Sequence, residues 1–357
     1  MRKLKIAMLA PVEEQVPPKK YGGTELVVYN LTENLIKLGH DVTLLATGDS
    51  HTSAKLIPIF PHSIRSLPVA RNMEVRSDLR LMGVGRVLQY LKKNKFDLVH
   101  NHIGCFFLPF VKCINEPVVT TFHGFLKNPN DFEIYKYFTD FNYVSISMNQ
   151  RQSAKIRLNF ISNVYNGIEV EKFHFFPEPQ NYFAFLARVS PEKGALEAID
   201  IAKKAGVNLI LAGKVDSVDE KYFKQKIRPH IDDKQIKFIG EIGHKKKVQL
   251  LGNAKALLAP IQWEEPFGLY FIEAMLCGTP VIANKRGSVS EIIIDGKTGF
   301  IVENIKEAVA RIKDIEKINR LDCSNHVKNN FSAEKMTQEY IKAYEKILKK
   351  NVKKKIE

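Results

Sequence analysis

Residues 263–280 read WEEPFGLYFIEAMLCGTP, and this stretch divides into a loop, a helix and a turn. An apolar run that ends near Pro260 predicts a strand before the loop, and the helix begins near Gly268. Gly278 ends the helix, because glycine readily adopts the left-handed conformation that follows a helix C-terminus. Strand, loop and helix in this order form the repeating unit of a parallel α/β sheet.

The same alternation extends through the chain. Apolar runs predict a first series of strands at Ile6–Ala10, Val42–Ala46, Leu98–His102, Val118–Phe122 and Tyr143–Ile146, and a second series at Tyr182–Ala187, Leu209–Ala212, Ile236–Ile239, Ala256–Ala259 and Val281–Ala283. In Leu26–Leu38 apolar residues recur every three or four positions, which predicts an amphipathic helix that ends at Gly39. With 357 residues, the chain exceeds what one hydrophobic core usually organises. The predicted fold class is therefore α/β, with two Rossmann-like, doubly wound domains.

The segment between the two series predicts the domain boundary. Pro177 and Pro179 lie so close together that helix and central strand are both disfavoured there. We therefore expect a linker at 173–179, an N-terminal domain over residues 1–172 and a C-terminal domain over residues 173–335. Helical patterns follow from about Ala333.

The composition is that of a globular protein, with 45% hydrophobic and 26% charged residues. No apolar run approaches the ~20 residues that span a bilayer. The basic and then apolar N-terminus meets Glu13 and Glu14 without a small-residue cleavage site, which favours a first strand over a signal peptide. The cysteines form no Cys-x-x-Cys pair, so we expect neither a zinc site nor a disulfide framework, but buried thiols in a cytoplasmic protein. They are Cys105, Cys113, Cys277 and Cys323.

The net charge of +15 is spread along the chain. Residues 1–172 hold 22 basic and 15 acidic side chains, and the remainder holds 32 and 24, so the surpluses are 7 and 8. Only the tail is concentrated, with seven lysines against two glutamates in residues 342–357. No aromatic RNA-binding motif or zinc knuckle accompanies them, which argues against a nucleic-acid partner. Two interpretations of the tail stay open: a solvated helix end, and peripheral contact with the inner face of an anionic membrane.

Open α/β sheets bind ligands beyond the carboxyl ends of their strands. Gly22 and Gly23 lie between the first strand and the first helix, where paired glycines let backbone N–H groups approach a phosphate. The alternative is a flexible loop with Thr24 as the helix N-cap. No Gly-x-Gly-x-x-Gly motif follows a strand, which disfavours a dinucleotide dehydrogenase. His102 and His123 follow the third and fourth strands, and both are candidate ligand contacts.

Charged residues follow strands of the second series. Arg188 and Lys193 flank a Ser-Pro turn that opens a helix, and a guanidinium with an ammonium suits a diphosphate. Two solvated cations beside a helix start would give the same pattern. Glu265 lies in the loop after a strand, and Glu273 lies eight residues on, within the helix. Two carboxylates also fit a glycoside hydrolase, but a hydrolase needs no such cations, so the anion-binding groups together indicate a leaving phosphate.

On these residues the chain resembles the retaining GT-B glycosyltransferases of family 4, also called group 1, over nearly its whole length. Glu265 and Glu273 match the Glu-x7-Glu pattern of the family, within the string EPFGL…EAM…GTPVIA. The other matches are the diphosphate-binding pair Arg188 and Lys193, the N-terminal glycine loop at Gly22 and Gly23, and the element Asn166-Gly167-Ile168 before the linker.

The resemblance implies two domains that face each other across a cleft, and a role for each candidate residue. Glu273 would hold the ribose hydroxyls and Glu265 the donor sugar, while His123 would line the reacting face. Further substrate contacts would come from Gly22, Gly23, His102, Phe267, Gly268 and Leu269, and around the base from Ile239, Gly240 and Glu241. The chain departs from the family at Ala187, where glycine is common, and at Tyr270, where a small aliphatic residue is usual. The larger ring of Tyr270 would narrow the choice of donor.

The implied reaction is retaining transfer of a hexosyl unit from a UDP- or GDP-sugar to a sugar, lipid-linked or small-molecule hydroxyl acceptor. In this front-face substitution, the leaving phosphate helps to deprotonate the acceptor. No cofactor or divalent metal is expected, because Arg188, Lys193 and a helix dipole would stabilise the diphosphate and no Asp-x-Asp motif is present. Residues 336–357 would pack back on the N-terminal domain as a helix. A GT-B nucleotide-sugar epimerase or hydrolase, and a non-catalytic nucleotide-sugar-binding protein at a membrane surface, are the alternatives, and the oligomeric state stays open.

Overall fold

The structure, a computed structural model, describes residues 2–20, 22–126 and 133–356, and of residues 351–356 it describes the backbone alone. Two compact units emerge: Met1–Gly167 together with Ala333–Glu357, and Ile168–Ser332. The first unit thus ends at Gly167 where residue 172 was expected, and the second unit ends at Ser332 where residue 335 was expected.

The position of the first boundary has a structural cause. Ile168 forms a parallel bridge with Ser332, and its N–H donates to the carbonyl of Phe331 at 3.0 Å. The expected linker contains neither helix nor strand, yet it packs on the second unit, because the N–H of Phe176 donates to the carbonyl of Cys277 at 3.0 Å. The linker segment therefore belongs to the second unit.

The first unit is built on a parallel sheet with strand order β3-β2-β1-β4-β5-β6-β7. The strands are β1 (Lys5–Leu9), β2 (Asp41–Ala46), β3 (Lys55–Pro58), β4 (Leu98–Asn101), β5 (Val118–Thr121), β6 (Asn142–Ser145) and β7 (Phe160–Asn163). Its helices include α1 (Gly23–Lys37), α2 (Met73–Lys93), α3 (Met148–Ser153) and the C-terminal helix Ala333–Ile356. Residues 6–9 of β1 are fully buried, as a central strand covered on both faces requires.

The second unit is built on a parallel sheet with strand order β10-β9-β8-β11-β12-β13. The strands are β8 (Phe183–Leu186), β9 (Leu209–Ala212), β10 (Ile236–Phe238), β11 (Leu257–Ala259), β12 (Val281–Asn284) and β13 (Gly299–Val302). The helices are α4 (Ala195–Ala205), α5 (Glu220–Tyr222), α6 (His244–Gly252), α7 (Leu269–Leu276), α8 (Val289–Ile292), α9 (Ile305–Ile312) and α10 (Arg320–Asn330). Two doubly wound α/β units are thus confirmed.

Every strand predicted from an apolar run is present, with each end within one residue of the expected position. The predicted helix Leu26–Leu38 is also confirmed as α1. The strands that the sequence did not predict are β3, β7 and β13, and each lies at an edge of its sheet. The residues of β3 and β7 are half-buried or exposed, so these strands lack a continuous apolar run.

The four cysteines differ in burial. None of the four cysteines forms a disulfide, but only Cys277 and Cys323 are buried; Cys105 is half-buried and Cys113 is exposed. The expectation of buried thiols is therefore wrong for Cys113, which lies in a segment of 3₁₀ helix at the surface.

Among the described residues, no helix combines the length and apolar character needed to cross a membrane.

Candidate functional site

Each sheet has a point where its strand order reverses, and the candidate residues cluster there. The point lies between β1 and β4 in the first sheet and between β8 and β11 in the second. Ligands of open α/β sheets bind beyond the carboxyl ends of the strands at such a point. Arg188 and Lys193 follow β8, Glu265 follows β11, and His102 follows β4. Each unit therefore carries a candidate site of its own.

In the second unit, Lys193 and Glu265 form an ion pair that joins the loops after β8 and β11. Lys193 ends a 3₁₀ turn, and Gly194 follows it with a φ of 80°, in the left-handed region. A Cβ at Gly194 would lie 2.1 Å from the carbonyl oxygen of Pro260, so only glycine lets the turn pack against the end of β11. This close approach brings the ammonium to the carboxylate.

Two aromatic residues complete the surroundings of Glu265. The indole Nε1 of Trp263 donates to Glu265 Oε2 at 3.2 Å, and the Tyr270 hydroxyl donates to the same oxygen at 3.3 Å. The Lys193 ammonium lies 4.4 Å from the centroid of the Trp263 ring and 5.7 Å from that of Tyr270, within the range of cation–π attraction. Tyr270, the departure from the family pattern, thus lies at the predicted sugar site, as does Trp263, to which the sequence had assigned no role.

The loop after β12 holds the Glu265 loop in place. The N–H of Ser288 donates to the carbonyl of Glu265 at 2.9 Å, and its hydroxyl donates to the carbonyl of Phe267 at 2.7 Å. The N–H of Gly287 donates to Glu264 Oε2 at 2.6 Å. The backbone around the predicted phosphate contacts is therefore fixed by the protein itself.

The N-terminus of α7 lies next to this ion pair in sequence and carries no side-chain cap. Gly268 is its N-cap, with a φ of 82°, and Leu269 is its first residue. A Cβ at Gly268 would lie 2.4 Å from the Phe271 ring, so glycine is again required. The positive end of the helix dipole and its N–H groups favour an anion at this position.

Arg188 is held by two carboxylates. It forms ion pairs with Glu192 and, at 3.7 Å, with Asp219. Burial acts to raise the pKa of Glu192, but hydrogen bonds, including those from Ser190 and Arg188, lower that pKa below its usual value. Burial raises the pKa of Asp219 against the attraction of Arg188. The sequence analysis assigned neither partner; Glu192 is four residues away in the same loop, whereas 31 residues separate Asp219 from Arg188.

Glu273 lies inside α7 and is buried beside Lys247 of α6, with which it forms an ion pair. The Lys247 ammonium also lies 5.9 Å from the centroid of the Phe173 ring. Sequence reasoning missed Lys247. The lysine run at 245–247 carried the signal, but only the third lysine is half-buried.

The residues expected around the base follow β10, the edge strand of the second sheet. Ile239 is 47% exposed, which leaves its side chain open to a flat ligand. The carbonyl of Gly240 accepts from the N–H of Gly213 at 2.9 Å, and Glu241 is half-buried. Their role toward a base stays a prediction.

In the first unit, His102 and His123 come together. His102 Nδ1 and His123 Nε2 lie 2.7 Å apart, and the rings are stacked with centroids 5.0 Å apart. His100 lies against His102, with centroids 3.9 Å apart. Two tyrosines of the C-terminal helix reach this cluster: Tyr344 bonds His100 Nδ1 at 2.7 Å, and Tyr340 bonds Thr121 at 3.1 Å. The sequence did not predict these tyrosine contacts, because more than 200 residues separate the partners.

The glycine loop precedes α1, with Gly22 as N-cap and Gly23 as the first helical residue. Thr24 as N-cap is therefore wrong, because the helix already includes it. A Cβ at Gly22 would lie 3.1 Å from Glu25 Oε2, so this buried carboxyl group lies against the loop. Burial, with smaller contributions from neighbouring acids such as Glu14, raises the pKa of Glu25 to about 7. Sequence reasoning missed Glu25.

Among the described residues, no three or more His, Cys, Asp or Glu side chains form a group that could hold a metal ion. The functional groups found at the two sites are ammonium, guanidinium, carboxylate, imidazole and hydroxyl. These groups can bind a phosphate and orient hydroxyls, and they can stabilise developing charge in a substrate.

Two known protein families match this chain, and the two matches together span most of it. Residues 168–330 match the family described as glycosyl transferases group 1, and residues 21–172 match glycosyltransferase family 4. The chain is 23% identical over 329 residues to phosphatidyl-myo-inositol mannosyltransferase of Mycobacterium tuberculosis, covering 84% of this chain and 82% of that protein.

Two solved structures share the fold. Sucrose-phosphate synthase of Thermosynechococcus elongatus superposes with a TM-score of 0.79 at 18% identity, covering 97% of this chain and 99% of the other. The Anabaena protein HepE, in complex with UDP-glucose, superposes with a TM-score of 0.71 at 19% identity, covering 96% and 100%. The two α/β units therefore have the GT-B fold of these solved structures.

Proposed function

The chain belongs to the group 1 glycosyltransferases, and we propose that it is a retaining, metal-independent enzyme that transfers a hexosyl unit from a UDP- or GDP-sugar to a hydroxyl acceptor. The observation that carries the proposal is the charged cluster where the second sheet reverses. There Arg188 and Lys193 lie on the loop after β8, and Glu265 lies on the loop after the neighbouring strand β11. The loop of Glu265 leads directly into the uncapped N-terminus of α7. Such a cluster suits a diphosphate that leaves with growing negative charge.

Each residue takes a role that its surroundings support. Arg188 and Lys193 would neutralise the diphosphate, because their carboxylate partners already hold them in position. Buried Glu273 would accept the ribose hydroxyls, and Glu265 would orient the transferred sugar. The reaction would then proceed on the front face, with the leaving phosphate receiving the acceptor proton.

The relatives support the substrate classes. The UDP-glucose complex of the Anabaena protein supports a UDP-hexose donor, and the name of the mycobacterial relative supports a lipid-linked acceptor. A lipid-linked acceptor would bring the enzyme to an anionic membrane, where the seven lysines of residues 342–357 would add electrostatic contact.

Incubation with UDP- and GDP-hexoses and an acceptor panel tests the function. We expect donor consumption that requires an acceptor, an α-linked product from an α-donor by NMR, and equal rates with EDTA, Mg²⁺ or Mn²⁺. A β-linkage would overturn the retaining assignment, and a rate restored only by a metal would overturn metal independence. Donor loss without acceptor would indicate a hydrolase or epimerase, whereas thermal stabilisation by a donor without turnover would indicate a binding protein.

A further inference from the structure

Three imidazole rings follow one another at the carboxyl edge of the first sheet. His100 and His102 are two residues apart at the end of β4, so their side chains lie on the same face. His123 follows β5 and stacks on His102. Gln150 holds the loop that carries His123, because its Nε2 donates to the carbonyl oxygens of Phe122 at 3.0 Å and of Gly124 at 2.6 Å.

All three rings are neutral near pH 7. Burial lowers the pKa of His100 and His102 well below the usual range, and neighbouring imidazoles add to both shifts. Burial lowers the pKa of His123 to about 4. Within the described residues, the titratable groups that act on His102 are His100 and His123. A neutral imidazole carries one N–H and one bare nitrogen, so each ring must take one of two tautomers.

His102 restricts this choice, and His100 does not. Both nitrogens of His100 contact hydroxyl groups, Tyr344 at 2.7 Å and Thr121 at 2.8 Å, which can donate or accept. His102 Nδ1 contacts His123 Nε2, and its own Nε2 is buried without a hydrogen-bond partner in the described part of the chain. A proton on that Nε2 would be a buried donor with no acceptor, and for backbone groups a buried donor without a partner is rarer than a buried acceptor without one.

The proton of His102 therefore belongs on Nδ1, from which it donates to His123 Nε2. His123 then carries its own proton on Nδ1. We propose that His102 is a positioning residue that holds His123 as a neutral Nδ1–H donor toward an oxygen atom of the substrate. His123 is thus no general base, and His102 acts through His123 rather than by touching the substrate. This inference rests on the proposed function for its substrate, but the tautomer itself does not.

His40 in the same unit provides a matched control. It is also buried, with no hydrogen-bond partner for its Nε2 among the described residues, but its Nδ1 accepts from the backbone N–H of Leu4 at 3.2 Å. A backbone N–H can only donate, so His40 must carry its proton on Nε2. The two buried histidines are therefore expected in opposite tautomers.

Nitrogen-15 NMR of histidine-labelled protein at pH 7 distinguishes the protonated nitrogen from the bare one in each ring. We expect protonated Nδ1 at His102 and His123 and protonated Nε2 at His40. Each NMR signal is assigned from the variant in which that one histidine is replaced. Protonated Nε2 at His102, or a charged His123, would overturn the proposal. This measurement needs no turnover. The tautomer of His102 can therefore be determined even if the transferase proposal fails, and the two failures can be told apart.

Three substitutions of His102 test its role in catalysis. The side-chain N–H of asparagine can replace Nδ1–H, so His102→Asn should keep kcat/KM within about threefold. His102→Gln places its amide where Nε2 lies, and His102→Leu has no donor, so both should lower kcat by about 10²-fold with KM little changed. Matching variants of His40 control for the loss of a buried histidine. A glutamine variant as active as the asparagine variant would overturn the positioning role.

Discussion

The two sites differ in charge although the two sheets are built alike. Around His100, His102 and His123 the contacts join imidazole and hydroxyl groups that are neutral at pH 7. At the second sheet the contacts join charged groups, as in the pairs Lys193–Glu265 and Lys247–Glu273. Both sites occupy the point where strand order reverses. Topology therefore locates a site, and the side chains that follow the strands decide what it can bind.

This difference suits two kinds of chemical group. A diphosphate needs cations held in place, because its charge grows as it leaves. Sugar hydroxyls need donors and acceptors of defined direction, which neutral imidazoles supply without attracting other anions. A buried ion pair also depends on both partners, because removal of one partner leaves an uncompensated buried charge.

Lys193→Ala should have the largest effect on the charged site. We expect kcat/KM to fall by about 10²-fold or more, because a fixed positive charge at the diphosphate is lost. Unfolding should become easier by roughly 3 kcal/mol, because buried Glu265 loses its cation. The double variant Lys193→Ala/Glu265→Gln should regain stability in urea titrations but no activity. Recovery of both would reduce the pair to a structural role.

Arg188→Ala should separate activity from stability more cleanly. The Arg188 side chain is 32% exposed and lies 3.7 Å from Asp219, so loss of its ion pairs should cost less stability than loss of the more buried Lys193. Activity should nevertheless fall by about 10²-fold. Lys255→Ala is the matched control, since Lys255 is 27% exposed and pairs with Glu316. Equal kinetics in the two variants would remove Arg188 from the diphosphate site.

The two acids of the charged site should affect different constants. Glu273→Gln keeps the shape but weakens contact with the ribose, so the KM for the donor should rise about tenfold with kcat little changed. Glu265→Gln should chiefly lower kcat, because orientation of the sugar acts at the reacting carbon. Steady-state kinetics with a varied donor measure both. An effect of Glu265→Gln on KM alone would contradict the assignment.

Glu25→Gln tests whether burial raises the pKa of this carboxyl group beside the glycine loop. The pKa of Glu25 is raised to about 7 in the folded chain, so its contribution to stability is present below pH 4.5 and is lost as pH rises through 7. Glutamine should therefore raise Tm at pH 8, by roughly 2–4 °C for each kcal/mol regained, and leave it unchanged at pH 4.5. The lowered pKa of His123 acts in the opposite direction, with stability lost as pH falls below 6.5. Equal changes in Tm at pH 8 and pH 4.5 would contradict the raised pKa of Glu25.

Removal of residues 351–357 should have the smallest effect. None of the predicted site residues belongs to this segment, so transfer to a water-soluble acceptor should stay within about twofold of the full chain. Retention on anionic vesicles at low salt should fall, because each lysine near such a surface contributes about 1 kcal/mol. Neutral vesicles are the control. Equal retention of both chains on anionic vesicles would remove the membrane contact.

The sequence by itself determined the central strands, the class of fold and most of the charged site. Central parallel strands are continuous apolar runs, and polar residues that follow them must lie at the carboxyl edge of the sheet. Arg188, Lys193, Glu265 and Glu273 could be predicted for this reason. The edge strands β3 and β7 could not, because half-exposed strands carry no such run.

Only the tertiary structure decided which of these groups touch and which partners they have. Lys247 reaches Glu273 from another helix, and Tyr344 reaches His100 across 244 residues of chain. The return of the C-terminal helix to the first unit makes that second contact possible. Spacing along the chain predicts such contacts only within one helix or one loop, since distances between elements depend on how they pack. The charge of each site was therefore set by sequence, but the state of its protons and the pairing of its ions depend on the fold.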